Sequence, residues 1–374
     1  MGFVDKLVLD GKRKRMEEEL KEEKLPLFIW GSGNLAELVR KYLRIHEIQA
    51  AGFFEWPMVR HDTFHGNKVY SMEEIEEGNS RYNVIVAHSH YSMAAELLTH
   101  ASNINKIYYL FSFDYCGDNC NTYFECDTVR SLIQPFEMIY DRFSDNKSRE
   151  NLAAFLNTKM TGDVQYIFDA FEGEMSFFEN DVYALSKTEC YWNIGGGRGE
   201  TITEFLKNTG NRFKQIVTLE PDLESYRFLR RYIETLPFVN QIFAYLCAAW
   251  DKQEKVSFFH DDDVTESGGI AEGEENRVLV DGIPLDKLFL EREDIQAPTF
   301  ITANYFQGII EMLAGSKYIL KRYAPALAIV VGHNDEYGLV RITEAILNAN
   351  VEYKFYLRFH QALATTLVLY AVAE

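Results

Sequence analysis

The residues best suited to chemistry are Asn193-Ile194-Gly195-Gly196-Gly197-Arg198-Gly199. An apolar run, Tyr191 to Ile194, reads as the strand before them, and a helical pattern starting near Glu200 follows. Glycines at Gly195, Gly197 and Gly199 let a backbone approach a ligand closely and leave the amides of the helix N-terminus facing its polar groups. The next apolar run, Gln215 to Leu219, leads into Glu220. That is the separation, about twenty residues, at which an acidic side chain accepts hydrogen bonds from ribose hydroxyls. A plainer reading makes the glycines a tight turn and Glu220 a cap for the helix beginning near Asp222. The alternation of strand, turn, helix and strand favours ligand binding. Asn193, Gly195, Gly197, Gly199, Glu220, Asp222 and Ala249 therefore form the candidate cofactor-binding set. Phosphates and dinucleotides use similar glycines, so these residues alone leave the ligand open.

A second pattern lies near the start. Gly31-x-Gly33-x-x-Ala36 follows the run Leu25 to Trp30, and Glu55 ends the next strand, which copies the dinucleotide fingerprint in its alanine variant. Nucleotide or nucleotide-sugar binding competes there with a turn in a domain used for packing or substrate recognition. His333, just after the run Ala-Leu-Ala-Ile-Val-Val-Gly, is the first candidate general base, because the C-terminal ends of strands line the ligand crevice of an open α/β sheet. Its competing role is to cap a loop. His260 beside Asp261, Asp262 and Asp263 suits a charged loop better than a metal site, since successive positions rarely converge on one ion. His88 and His90 follow the run Tyr82 to Ala87 and share a face only if that strand continues through them, where a loop is expected. Cys116, Cys120 and Cys126 match no zinc spacing, so no metal is expected.

Positioning these residues takes two sets of alternating elements. In the first, Leu25 to Trp30, a run ending at Glu55, Tyr82 to Ala87 and Lys106 to Phe111 read as strands, with helices through Tyr42 and over Ser92 to Ala101. A small Rossmann-like domain at residues 26–115 accounts for them, preceded by a charged helix at 1–25. Residues 116–187 turn helical and read as a connector. In the last set, 188–374, apolar runs at Tyr191–Ile194, Gln215–Leu219, Ile242–Ala248, Thr299–Thr302, Leu327–Val331, Lys354–Leu357 and Thr366–Ala371 predict roughly seven strands. A short polar connection joins the final two, so they must pair antiparallel, because a parallel pair needs a crossover of a dozen residues or more. Parallel strands closed by an antiparallel hairpin describe the sheet of a class I methyltransferase. The loop Asp261 to Asn276 has the glycines and acids of a mobile lid, and equally those of plain surface chain.

Composition narrows the partners. Among 374 residues, 47% are hydrophobic and 14% aromatic, which excludes a disordered or fibrous chain. No apolar run approaches the roughly 20 residues that span a bilayer, so no membrane partner is expected. The stretch Met1 to Lys24 is charged rather than apolar and shows no secretory pattern, which points to a cytoplasmic address. Five cysteines, sparse and odd in number, fit reduced thiols. The net charge of −19 repels a phosphate backbone and argues against DNA or RNA. Self-association is compatible with the sequence and is not indicated by it.

Several longer segments carry a resemblance. They are NKSRENLAAFL at Asn146–Leu156, YWNIGGGRGETITEF at Tyr191–Phe205, VTLEPD at Val217–Asp222, CAAWD at Cys247–Asp251, PTFITANYFQGIIEMLAGS at Pro298–Ser316, YAPALAIVVGH at Tyr323–His333 and YKFYLRFH at Tyr353–His360. With their order and spacing, residues from about 125 to 374 resemble the FkbM family of methyltransferases. The resemblance implies methyl transfer from S-adenosylmethionine, commonly to a hydroxyl of a sugar, glycan or secondary metabolite. A small-molecule or carbohydrate acceptor is therefore the expected partner.

The chain also departs from the family. Asn193 stands where the family's first motif opens with Asp, and Arg198 replaces an acidic position within it. The family segment of the type IKMDIEGAE falls on Ile301–Ile309, so that Asp becomes Asn304, Glu-Gly becomes Phe306-Gln307, and the final Glu becomes Ile309. Asn hydrogen-bonds but does not ionise, so it neither accepts a proton nor supplies charge. His333 and Asn304 are the catalytic candidates. Three readings follow: an active O-methyltransferase, a catalytically silent binding or scaffolding protein that kept the fold, and a nucleotide-sugar or NAD-binding protein acting through the first domain.

Overall fold

The computed structural model describes residues 2–9, 16–59, 62–87, 97, 100–109, 124–178, 180–259, 277–305 and 308–373. They divide into two compact units. One comprises 1–133, 150–174 and 359–367, and the other 134–149, 175–358 and 368–374.

The first unit carries a six-stranded sheet of β1 (Leu27–Trp30), β2 (Gly52–Glu55), β3 (Thr63–Phe64), β4 (Asn67–Ser71), β5 (Tyr82–Val86) and β6 (Ile104–Tyr109). The order is β3-β4-β2-β1-β5-β6, parallel throughout except for β3 against β4. β1 and β5 are buried at every position, as expected of parallel strands covered on both faces. The short β3 and β4 were not legible as periodic runs. The expected helix over Ser92–Ala101 and the expected loop at His88 and His90 fall largely or wholly outside the described residues.

In the second unit a seven-stranded sheet holds β7 (Cys190–Ile194), β8 (Gln215–Leu219), β9 (Ile242–Tyr245), β13 (Phe300–Ala303), β14 (Ala326–Val330), β15 (Tyr353–Phe359) and β16 (Leu367–Ala373). The order is β15-β16-β14-β13-β7-β8-β9. β9, β8, β7, β13 and β14 are parallel neighbours, and β16 lies antiparallel to β14. The chain therefore winds outward from β7 in one direction, then returns to its other side through β13. The C-terminal end of β7 is the topological switch point, where open α/β sheets form their ligand crevice. Aromatic rings fill the layer beside β7. Tyr191 and Phe205 stack at 4.5 Å, Phe178 stands edge-on to Tyr191 at 5.4 Å, and Tyr183 stacks on Phe300 at 4.8 Å.

One expected strand is corrected. The run Ile242 to Ala248 does not continue as one element: β9 ends at Tyr245, and Ala248–Ala249 form β10 of a separate three-stranded sheet with β11 (Glu254–Phe259) and β12 (Arg277–Ile283). An unbroken apolar run signals burial and extension but not which neighbour accepts its hydrogen bonds. Here the backbone of Ala248 pairs with Gly282.

The terminal strands are pinned by a buried cation. Arg358, 2% exposed, donates to Asp181 through Nε and Nη2 (both 2.9 Å), to Asp145 through Nη2 (2.6 Å) and to Ser148 Oγ (2.9 Å). Burial pushes the Asp145 carboxyl up, but the hydrogen bonds from Arg358 and Ser148 bring it below its ordinary value, and the Arg358 hydrogen bond does the same to Asp181.

Candidate functional site

The site is built outward from β7. Its two neighbours, β13 and β8, place Thr302 and Thr218 in register on either side of Asn193, and all three are fully buried. Tyr191 Oη and Thr302 Oγ1 lie 2.7 Å apart, and Thr302 donates to Asn193 Oδ1 at 3.2 Å. Asn193 Nδ2 and Thr218 Oγ1 have no hydrogen-bond partner among the described residues. Strands covered on both faces are normally apolar throughout, so a row of three polar residues ending two positions short of the turn is unusual. Thr218 and Thr302 escaped the sequence reading because each is a single β-branched residue in an apolar run, indistinguishable from ordinary strand-forming threonine.

Above that row the chain bends through Gly195 to Gly199 into the helix Glu200–Thr209. Gly195 and Gly196 both donate to the carbonyl of Leu219, which ties the bend to the end of β8. Gly195 (φ +88°), Gly197 (φ +53°) and Gly199 (φ +108°) occupy left-handed backbone that side chains disfavour. Close approach excludes a side chain as well. A Cβ on Gly195 would lie 2.7 Å from the Asn304 carbonyl oxygen, on Gly196 2.4 Å from Thr218 Oγ1, and on Gly199 2.5 Å from the Tyr232 ring. Gly197 differs, because its Cβ would meet only Glu200 Oε2, at 3.2 Å. A Cβ would thus meet packed atoms within 3 Å at three of the four glycines, and only the Glu200 carboxylate at Gly197.

Glu220 lies directly under this bend. Its Oε2 accepts the Gly197 N–H at 2.7 Å and its Oε1 accepts the Asp222 N–H at 2.8 Å. Only 6% of the residue is exposed. Burial pushes the carboxyl up to about 7, the two backbone N–H groups pull it down, and the nearby Asp222 and Glu200 carboxylates push it up again. Asp222 is the helix cap that Glu220 was alternatively read to be: its side chain accepts the Ser225 N–H at 2.7 Å at the start of the helix Leu223–Thr235. Arg198 is turned towards that helix, with its guanidinium 3.6 Å from Glu224 and over the Phe228 ring.

The remaining candidates lie at several places. Asn304 follows β13, donates its backbone N–H to the Ile194 carbonyl at 3.1 Å and exposes its side chain. His333 is half-buried in the turn after β14, the strand next to β13. Ala249 is buried in β10, its backbone paired with Ile283. Phe306, Gln307, His260, Asp261, Asp262, Asp263, Cys116 and Cys120 lie outside the described residues, as does the segment 261–276. No group of three His, Cys, Asp or Glu among the described residues is arranged to hold a metal. Nor is any helix among them long and apolar enough to cross a membrane.

In the first unit, Gly31 (φ +128°) follows β1, and a Cβ there would lie 2.4 Å from the Ala87 carbonyl oxygen. Gly33 precedes the helix Asn34–Ile45 with nothing within 4 Å of an added Cβ. The Ser32 hydroxyl donates to Glu55 Oε1. The glycine turn and the acid ending β2 are therefore in contact through Ser32.

The whole chain aligns with the crystal structure of the methyltransferase FkbM from Methylobacillus flagellatus KT, at a TM-score of 0.66 and 19% identity, over 99% of this chain and 98% of that one. The chain shares the fold of that FkbM structure. Other similar structures are Aeropyrum pernix fibrillarin in complex with natively bound S-adenosyl-L-methionine (TM-score 0.32, 13% identity, 51% of this chain and 70% of that one) and the precorrin-6y C5,15-methyltransferase of Geobacter metallireducens (TM-score 0.31, 13% identity, 51% and 82%). No family model and no curated protein matches the sequence. Within the FkbM fold, the switch point after β7 carries the glycine bend and the buried acid together.

Proposed function

We propose that the bend Gly195–Gly199 and Glu220 hold the adenosyl part of S-adenosylmethionine, and that the protein methylates a hydroxyl of a sugar, glycan or secondary metabolite. The observation that carries this reading is the 2.7 Å hydrogen bond from Gly197 N–H to Glu220 Oε2, which sets the least enclosed glycine of the bend against the buried acid that follows β8. Asn193 Nδ2 and Thr218 Oγ1, buried without hydrogen-bond partners among the described residues, lie beneath the same bend. Glu220 would accept the ribose hydroxyls, and the amides at the start of the helix Glu200–Thr209 would face the ligand's polar groups. When bound, the cofactor supplies an activated methyl group on a sulfonium. The protein's own task is to align the acceptor oxygen with the methyl carbon and to take its proton. His333 is assigned as the base that receives the proton, and the exposed amide of Asn304 as a hydrogen-bonding group for the acceptor.

A catalytically silent protein is the second reading, favoured by Asn193. A neutral amide stands there in a fully buried position, with its nitrogen unsatisfied among the described residues. Calorimetry with S-adenosylmethionine, followed by detection of S-adenosylhomocysteine with carbohydrate and metabolite acceptors, separates the two. Binding with turnover supports the enzyme, binding without turnover on any acceptor supports the silent protein, and absence of binding removes the enzyme. Asn193→Asp is expected to tighten cofactor binding at least tenfold if the lost carboxylate is what weakens the site, and an unchanged affinity would clear Asn193 of that role.

A further inference from the structure

We infer that occupancy of the bend and ionisation of Glu220 are linked, so that an adenosyl ligand expels the Glu220 proton to solvent as it binds. This rests on the adenosyl reading of the bend given above. The carboxyl is buried, with one backbone N–H on each oxygen. The charged and titratable groups around it are unfavourable to a second negative charge. Asp222 follows it in sequence, and Glu200 opens the helix Glu200–Thr209. Arg198, the cation of the bend, is committed to Glu224 and Phe228 on the next helix. From β7 comes the neutral amide of Asn193. Tyr245, at the end of β9, is kept protonated by burial, and Tyr226 donates its hydroxyl to the Ala244 carbonyl. Among the described residues, two acids and no uncommitted cation therefore surround a buried carboxyl, which burial pushes up to about 7.

A ribose presents two hydroxyl donors side by side. An ionised carboxylate accepts from both while keeping its two backbone N–H bonds, whereas a protonated carboxyl has one oxygen acting as a donor and cannot. Hydrogen bonds to the charged form favour that form. The ligand consequently selects the ionised carboxyl, and the proton leaves. For a free group titrating at about 7 that is fully ionised when bound, about 0.9 proton leaves per site at pH 6, about half at pH 7 and about 0.1 at pH 8. Affinity then falls about tenfold between pH 8 and pH 6.

The test is calorimetry of the full chain with S-adenosylhomocysteine at pH 6, 7 and 8, in buffers of different ionisation enthalpy, which counts protons exchanged on binding. A release that declines as pH rises is expected for Glu220. The ligand's amino group titrates above neutrality, so its contribution has the opposite trend. Glu220→Gln, which cannot ionise, should bind without the declining release. A release that is absent, or flat with pH, in the wild-type protein overturns the linkage, as does its persistence in Glu220→Gln. Failure of S-adenosylhomocysteine to bind at all three pH values overturns the adenosyl reading itself, a different result from binding without proton release.

Discussion

Glu220→Gln also makes a prediction about the protein without ligand. Glu220 titrates at about 7 in the folded chain against an ordinary value of 4.5. That difference of about 2.5 units, at about 1.36 kcal/mol each, means that ionised Glu220 costs the fold about 3 kcal/mol. The sign follows from proton binding. A carboxyl whose value is raised on folding holds its proton more tightly in the native state, so the cost is absent below pH 4.5, grows between 4.5 and 7, and is constant above. Gln cannot ionise and carries no such cost. Its amide nitrogen must, however, face either the Gly197 or the Asp222 N–H, which loses one hydrogen bond and costs about 1–3 kcal/mol at every pH. The prediction therefore concerns the slope. From pH 5 to pH 8.5 the variant should gain about 2.5 kcal/mol on the wild type. Urea unfolding of both proteins at pH 5, 7 and 8.5 reads this directly, and a stability difference that stays constant across the three would refute the account of Glu220 as an uncompensated buried acid.

Three further outcomes follow from the same geometry. Gly197→Ala should cost the fold only about 1–2 kcal/mol, from its left-handed backbone, yet weaken S-adenosylhomocysteine binding more than tenfold in calorimetry, because its methyl group enters the space assigned to the ligand. Gly196→Ala should act through folding by a different route: a Cβ 2.4 Å from Thr218 Oγ1 and 2.9 Å from Leu229 Cδ2 overpacks the core, and a loss of about 1–3 kcal/mol in chemical unfolding is expected. Arg358→Met strands Asp145 and Asp181 without their cation. A loss near the lower end of about 3–5 kcal/mol is expected, since both carboxylates keep contact with water. Arg358 depresses both carboxyls in the wild type, so its stabilisation is present above their ordinary values and fades as pH falls through the depressed ones. Unfolding at pH 7 and pH 3 should therefore show the gap between wild type and variant shrinking in acid.

The central strands were legible because parallel strands buried on both faces cannot alternate polar and apolar residues, and the runs at β7, β8 and β14 stand out against helical stretches. The pairing of the bend with Glu220 was legible for a related reason. Parallel neighbours in register end together, so the residue after β8 must lie beside the residues after β7. What could not be read was partnership outside the periodic pattern. Ala248 and Ala249 look like the continuation of β9, and only their pairing with Gly282 and Ile283 assigns them elsewhere. The glycines show the same limit. In the sequence Gly195, Gly196, Gly197 and Gly199 are equivalent candidates for ligand contact. In the fold, Asn304, Thr218, Leu229 and Tyr232 occupy the space beside three of them. A glycine is required wherever backbone meets close matter, whether that matter is protein or ligand. The distinction rests on residues brought from β8, β13 and the helix Leu223–Thr235, all distant in sequence from the bend. It follows that Gly197, the one glycine here that no packed neighbour explains, is the position where substitution separates a binding role from a folding role.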